Sequence, residues 1–352
     1  MKNIHIGLEL PHPENEPEIH LVSSTVHILK PRPKPNLLSV VIPCYNEQEV
    51  VPLLRREIEV FLNELNLPYE LILVNDGSRD STLALLDQWA EENSSVKVLG
   101  FARNFGHQIA VTAGLDVAKG DAVVVMDADL QDPPRIVCEM LQRYQEGYDV
   151  VYGQREERTG ESSFKKFTAW AFYRLMKRLV HKDLPVDTGD FRLISSSCLA
   201  ALKRMRETHR FLRGMIAWVG FPQIAVKYKR DPRAAGDTKY PLSKMLKFAW
   251  TAAVSFSPLP LRFSLMLGFL IAGIGVIVGF YAIIMSFIHY FIQPAGFNYN
   301  PGWGTIVTML CLIGGSILIG LGVLGEYVAR IYDELKDRPL YLVNYTKNVG
   351  EA

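Results

Sequence analysis

The segment Ala122-Val123-Val124-Val125-Met126-Asp127-Ala128-Asp129-Leu130-Gln131-Asp132-Pro133-Pro134 decides how the rest of the chain reads. Its first five residues are uniformly apolar, the composition of a strand buried on both faces. An acidic cluster follows at once, and the paired prolines suit the first turn of a helix. Strands of this kind recur on the N-terminal side at Leu38–Ile42, Leu71–Val74 and Val96–Phe101, and beyond it at Val150–Tyr152. Helical periodicity fills the gaps over Val50–Leu65, Thr82–Glu91, Ile109–Val117 and Ile136–Tyr144. Alternating strands and helices with strands this apolar predict a mostly parallel, Rossmann-like α/β sheet covered on both faces. Ligands of such sheets bind at the carboxyl ends of the strands. The polar clusters Pro43–Glu47, Asp76–Ser78, Arg103–His107 and Asp127–Asp132 all fall there.

The far end of the chain is built differently. From Phe263 to Gly325 no Asp, Glu, Lys or Arg occurs, and the run is broken by the Pro-, Gly- and Asn-bearing stretch 293–304. Each half is about the 20 residues needed to cross a bilayer. A wholly soluble protein, a disordered chain and a many-helix transporter are thereby excluded. Residues 227–262 hold eight Lys and Arg against Asp231 and Asp237, and Arg330, Lys336 and Arg338 follow the second span. The connecting loop has no basic residue, so both termini and the α/β domain are expected on the cytoplasmic side of a two-pass membrane protein. Two stretches, from Phe164 and from Leu242, combine an apolar face with Lys and Arg and suit either the headgroup plane or the domain's own surface. The resulting division is a Pro-rich arm over 1–36, a catalytic domain over 37–230, a basic juxtamembrane segment over 231–262, a helical hairpin over 263–326 and a cytoplasmic tail over 327–352. Four cysteines without a CxxC pair suggest neither a disulfide framework nor a zinc site.

Residues two apart at a strand end point to one side, so Asp127 and Asp129 can converge on a hard cation, Mg²⁺ or Mn²⁺, that shares its shell with phosphate and water. Gln131 can add an oxygen or a water contact. Asp132, before two prolines, reads better as a helix N-cap than as a ligand. Asp76 can accept the imide N–H of a uracil ring, with Gly77 allowing a tight turn, while Tyr45 and Glu47 can pack on a base and hold a ribose hydroxyl. Taken singly, Asn46 and Asp76 are more simply caps of the helices that follow them. No dinucleotide fingerprint or P-loop follows any strand. Candidate anion binders are Arg155, Arg158 and Arg192, with Arg233 and Lys239 placed to meet a lipid phosphate at the bilayer surface. Nucleic-acid binding has no support beyond basic stretches that a membrane explains.

Taken in order, Val41–Glu47, Val74–Ser78, Arg103–His107, Asp127–Pro134, Asp187–Arg192 and Gly236–Pro241, together with the two spans, resemble family 2 glycosyltransferases of the GT-A fold. Within that family they resemble the polyprenyl-phosphate glycosyltransferases, bactoprenol glucosyltransferase and dolichyl-phosphate mannose synthase among them. The resemblance implies Asp127, Asp129 and Gln131 on the metal. Around the nucleotide it implies Pro43, Tyr45, Glu47 and Asp76, and Arg103 at the neighbouring strand end is a further nucleotide-binding candidate. Arg155 and Lys165 would lie on the acceptor phosphate, although an Arg is expected where Lys165 stands. It further implies a homotetramer, and an inverting transfer of a sugar from a nucleotide sugar to undecaprenyl phosphate. UDP-glucose is the donor favoured by the branch, with GDP-mannose or a UDP-aminoarabinose-type donor as alternatives. A non-catalytic nucleotide-binding scaffold is the rival from another class. A processive polysaccharide synthase is disfavoured because no Gln begins a QxxRW segment.

Overall fold

A computed structural model of the chain describes residues 19–22, 25–155, 188–229, 259–292 and 302–350. A short hairpin, β1 (Ile19–Val22) with β2 (Thr25–Ile28), precedes the main sheet. Four strands then alternate with helices: β3 (Leu38–Cys44), α1 (Val51–Leu65), β4 (Tyr69–Asn75), α2 (Thr82–Glu92), β5 (Val96–Phe101), α3 (His107–Val117) and β6 (Ala122–Val125). They lie parallel, every residue of β3 and β6 is buried, and the apolar runs of the sequence thus form the sheet centre. α1 shows why its residues make a covering helix: Val51, Leu54, Ile58 and Leu62 recur at three- and four-residue spacing and form its buried stripe.

After α4 (Ile136–Gln145) come β7 (Val150–Arg155), β8 (Thr188–Ser195), α5 (Ser196–Arg204), α6 (Leu212–Val219) and β9 (Gln223–Tyr228). β8 enters between β6 and β7 and runs antiparallel to both, so the sheet is mixed on this side. Two further helices, α7 (Leu259–Ile292) and α8 (Trp303–Leu335), pack together as an antiparallel pair in which a side chain at Gly320 would meet Ser264. Leu261–Tyr281 and Leu312–Leu335 are long and apolar enough to cross a membrane, and none of their most apolar stretches is buried within the chain.

Two boundaries differ from the sequence expectation. Leu29 lies in the core, and Arg32 donates to Asp149 and to the Gly147 carbonyl while its guanidinium covers the Tyr144 ring, so the arm is anchored well before residue 37. At the other end α8 runs on to Leu335, and the tail returns as β10 (Val343–Lys347), pairing antiparallel with the outer edge of β5. The eight-stranded order is β10-β5-β4-β3-β6-β8-β7-β9.

Candidate active site

Strand register brings the polar clusters to one edge. Cys44 lies opposite Asn75, Asn75 opposite Gly100, and Val41 opposite Val125, so the loops after β3, β4, β5 and β6 leave the same side. Because β8 is antiparallel to β6, with Arg192 opposite Val125, its N-terminal residues Thr188–Asp190 arrive at that edge too. The ends of β7 and β9, where Arg155 faces Tyr228, complete it.

Asp127 and Asp129 follow β6 directly and are both partly exposed. The Oδ1 of Asp127 is nonetheless shielded from solvent and, among the described residues, receives no hydrogen bond; the His107 imidazole lies 3.7 Å away. Desolvation therefore pushes the Asp127 carboxyl up to about 6; His107 opposes the shift, while the charges of Asp190, Asp132 and Asp129 add to it. Asp129 accepts the Gln131 backbone N–H through Oδ1. Leu130 between them has a positive φ of 55°, a conformation costly for a leucine and concentrated at functional loops. An acidic oxygen sealed from water yet offered no donor suits a cation. The two carboxylates with Gln131 fit Mg²⁺ or Mn²⁺ as donors. Among the described residues no group of three His, Cys, Asp or Glu gathers around an ion, so the remaining shell would fall to phosphate and water.

The neighbouring ion network escaped the sequence reading. Asp190 accepts from Arg213 Nε through Oδ1 at 2.7 Å and from Gln108 Nε2 through Oδ2 at 3.1 Å, and His107 Nε2 lies 3.1 Å from the same Oδ2. Burial pushes the Asp190 carboxyl up, but Arg213 and His107 outweigh it and hold it well below the usual carboxylate range. Burial likewise pulls His107 down, yet the Asp190 hydrogen bond and the charges of Asp127 and Asp190 leave it at about 9. Asp190 and His107 lay inside quoted motifs. Arg213 stands on α6 and meets Asp190 only through the tertiary fold, which no local pattern signals.

Several expectations are corrected. Asp132 does not cap α4, whose N-cap is Arg135 without a side-chain bond; its side chain turns inward and accepts the Tyr228 hydroxyl, tying the acidic loop to β9. The reason is the proline pair, which delays the helix to Ile136 and leaves Asp132 a full turn short of it. Asp76 does not cap the helix after it. It is 3% exposed and accepts the Phe105 and Gly106 backbone N–H groups at 2.7 and 2.9 Å, and Asn104 Nδ2 at 2.9 Å. Thr82 at the start of α2 is served by Asp80 instead, and Asn46, at φ 54°, accepts the Arg79 N–H. Gly77 does make the tight turn, with φ 63° and with the Arg103 and Asn104 backbone so close that a Cβ would fall 2.4 Å from it. Arg192 is not an open anion binder: only 6% exposed, it donates to the Gly189 and Asp190 carbonyls, and burial lowers its guanidinium to about 10.

Of the remaining candidates, Tyr45 is exposed at the end of β3, Pro43 is buried within that strand, and the Glu47 N–H is fixed by the Thr82 hydroxyl. Arg103 is exposed and lies 4.1 Å over the Phe105 ring. Arg155 lies against Gly189 beside Tyr228, and its buried Nε–H has no acceptor among the described residues. Arg158, Lys165, Arg233 and Lys239, with the Phe164 and Leu242 stretches, fall outside the described residues.

Residues 39–202 match the family model "Glycosyl transferase family 2". A Bacillus subtilis protein named "Uncharacterized glycosyltransferase YkcC" is 45% identical over 305 residues, spanning 87% of this chain and 92% of that protein. The chain belongs to glycosyl transferase family 2. A second relative, the "Prophage bactoprenol glucosyl transferase homolog" of Escherichia coli K12, is 34% identical across 88% of this chain and 99% of its own length. Family membership makes the protein a glycosyltransferase, and its sheet, with a parallel centre and an antiparallel insertion, is GT-A-like. Among solved structures, a glucosyl-3-phosphoglycerate synthase from Mycobacterium tuberculosis superposes at a TM-score of 0.44 with 19% identity, covering 62% of this chain and 76% of that one.

Proposed function

We propose that this family 2 glycosyltransferase moves a sugar, glucose in the first instance, from a UDP-sugar to undecaprenyl phosphate at the cytoplasmic face of a membrane, with inversion at the anomeric carbon. The observation that carries the reading is the oxygen of Asp127, shielded and without a donor among the described residues, at the edge that also carries Tyr45, Asp76, Arg103 and Arg155. The acceptor class is supported by the relative named for bactoprenol and by two apolar helices left uncovered by the rest of the chain. Lys and Arg flank those helices on their outer sides and are missing between them, which supports a cytoplasmic site.

A lipid phosphate is already anionic near neutral pH, with a second pKa of about 6 by analogy with phosphoproteins. It needs little help from a general base, so the protein's work is alignment and charge stabilisation. Asp127 and Asp129, with Gln131, would hold the divalent ion, which supplies neutralising charge to the departing nucleotide diphosphate. Arg155 offers its buried Nε–H to a phosphate. Tyr45, Glu47 and Arg103 border the nucleotide, and Asp76 acts through the Arg103–His107 loop that it holds. Arg213 and His107 keep Asp190 ionised beside Asp127, where it can orient the attacking phosphate's neighbours without itself taking a proton.

The test is turnover: purified full-length protein, Mg²⁺, undecaprenyl phosphate and a panel of labelled nucleotide sugars. A lipid-extractable labelled product that requires the lipid phosphate is expected. Nucleotide binding without turnover on any donor would establish the scaffold reading instead.

A further inference from the structure

The helix α8 outlasts its apolar part. Gly325 ends the charge-free run and the helix continues to Leu335, ten residues that at 1.5 Å each make a rigid post of about 15 Å. The post carries Glu326, Arg330, Asp333 and Glu334, and it is braced along its length by Arg330 on Glu326. Its last turn then grips the catalytic domain. The Glu334 carboxylate accepts the Thr208 backbone N–H at 2.8 Å and the Thr208 hydroxyl at 3.2 Å, and Asp333 faces His209 at 3.7 Å. Four residues beyond Thr208, α6 begins: Leu212 N–H donates to Gln108, and Arg213 holds Asp190. One contact therefore leads from the post into the ion network beside Asp127.

The chain after the post makes a second grip beside the first, where Tyr341 and Arg206 share the Asp116 carboxylate. Leu342 accepts the Ala102 N–H, and β10 zips along β5. Tyr341 stacks on Phe101 at 5.2 Å and donates to Asp116, and Phe101 packs edge-on against Phe105, whose N–H is held by Asp76. Asn348 closes the strap with bonds to the Ala90 and Val96 carbonyls. The Thr208 contact and the longer β10 strap together restrain the domain's height and tilt more than either does alone.

We propose that the foot of α8, Asp333 with Glu334, is a positioning element that together with the β10 strap sets the catalytic edge at a fixed height over the bilayer, where a lipid-borne phosphate can reach it. This rests on the proposed function for the nature of the acceptor. Neither residue touches the reacting atoms. They act through Thr208 and α6, so their loss should matter only when the acceptor's position is imposed by a membrane.

The experiment compares the wild type, Asp333→Ala/Glu334→Ala and the conservative Glu334→Gln, each full-length in lipid nanodiscs. Transfer is measured to undecaprenyl phosphate in the nanodisc and to a two-isoprene prenyl phosphate in solution. The double variant should lose five- to tenfold in kcat/KM toward the membrane acceptor, with the KM for nucleotide sugar and the rate with the soluble acceptor within twofold of wild type. Glu334→Gln, which retains an acceptor oxygen for Thr208, should stay within twofold on both. Equal loss on both acceptors, or none on either, would overturn the proposal. A second readout needs no activity: energy transfer from a dye on exposed Cys138 to labelled headgroups should change in the double variant and not in Glu334→Gln. Unchanged transfer would overturn the clamp, whereas a wild type inactive on both acceptors, with the dye signal shifting as expected, would sink only the functional reading.

Discussion

Asp76→Ala separates two uses of one carboxylate. If Asp76 holds the Arg103–His107 loop, its removal strips the acceptor from the Phe105 and Gly106 N–H groups, while Asn104 keeps its bond to the Asp76 backbone carbonyl. A backbone donor left without a partner in a part-buried site costs about 1–3 kcal/mol, so the pair amounts to about 2–6 kcal/mol. For a catalytic domain of this size each kcal/mol moves the melting midpoint by about 2–4 °C, which puts the variant roughly 4–24 °C below wild type. Asp76→Asn retains one acceptor oxygen and should lose about half as much. The assay is thermal unfolding of the full-length protein in detergent, followed by tryptophan fluorescence, beside the KM for the nucleotide sugar. If Asp76→Ala melted within about 1 °C of wild type while that KM rose sharply, the carboxylate would be a base reader and the loop argument would be wrong.

Three further outcomes follow from neighbouring contacts. Gly77→Ala combines a left-handed backbone with a Cβ driven into the Arg103–Asn104 backbone, and should cost more than about 3 kcal/mol or prevent folding; Gly106→Ala, with open space around it, should cost only about 1–2 kcal/mol of conformational strain, as measured by denaturant unfolding. Burial pushes the Glu70 carboxyl up, but Lys97, the Ser39 hydroxyl and the Lys119 N–H together hold it below its usual 4.5. A lowered folded-state pKa gives stability that is present above 4.5 and fades as pH falls below it, so Glu70→Gln should melt lower than wild type at pH 7 and converge with it in acid. Asp127→Asn relieves a desolvated charge set among other acids; in metal-free buffer at pH 7 it should melt a few degrees higher than wild type, about 1–2 kcal/mol after allowing for the part of the side chain that meets solvent. A lower midpoint would mean that the His107 contact outweighs the burial.

Much of this was legible because the sheet is parallel at its centre. Strands such as Leu38–Ile42 and Val96–Phe101 are buried on both faces and read as unbroken apolar runs, and their loops must share one edge. The proposed role of Asp127 and Asp129 therefore rests on a position and a chemistry that the sequence already displays. What stayed hidden is long-range. β8 is antiparallel, and its polar start at Thr188–Asp190 masks a strand whose every residue is buried. Asp190 meets Arg213 and His107 across the fold, and Asp76 looks like a cap for its own helix while serving the loop before α3. The tail Val343–Lys347 is largely exposed and has too little apolar content to announce an edge strand, since backbone pairing with β5 and side-chain contacts to α2 hold it.

Asp127 and Asp129 are proposed to grip a divalent ion, and transfer depends on that grip. The most direct measurement is the Mn²⁺ spin-resonance signal and glycosyl transfer recorded on the same samples, wild type beside Asp127→Asn and Asp129→Asn, after chelation and stepwise return of metal in the presence of UDP. Wild type should lose transfer on chelation, bind Mn²⁺ and recover in proportion to the bound ion, while both variants, folded as their melting shows, neither bind nor recover. Undiminished transfer by chelated wild type, or a variant that binds Mn²⁺ and works as the wild type does, would contradict it.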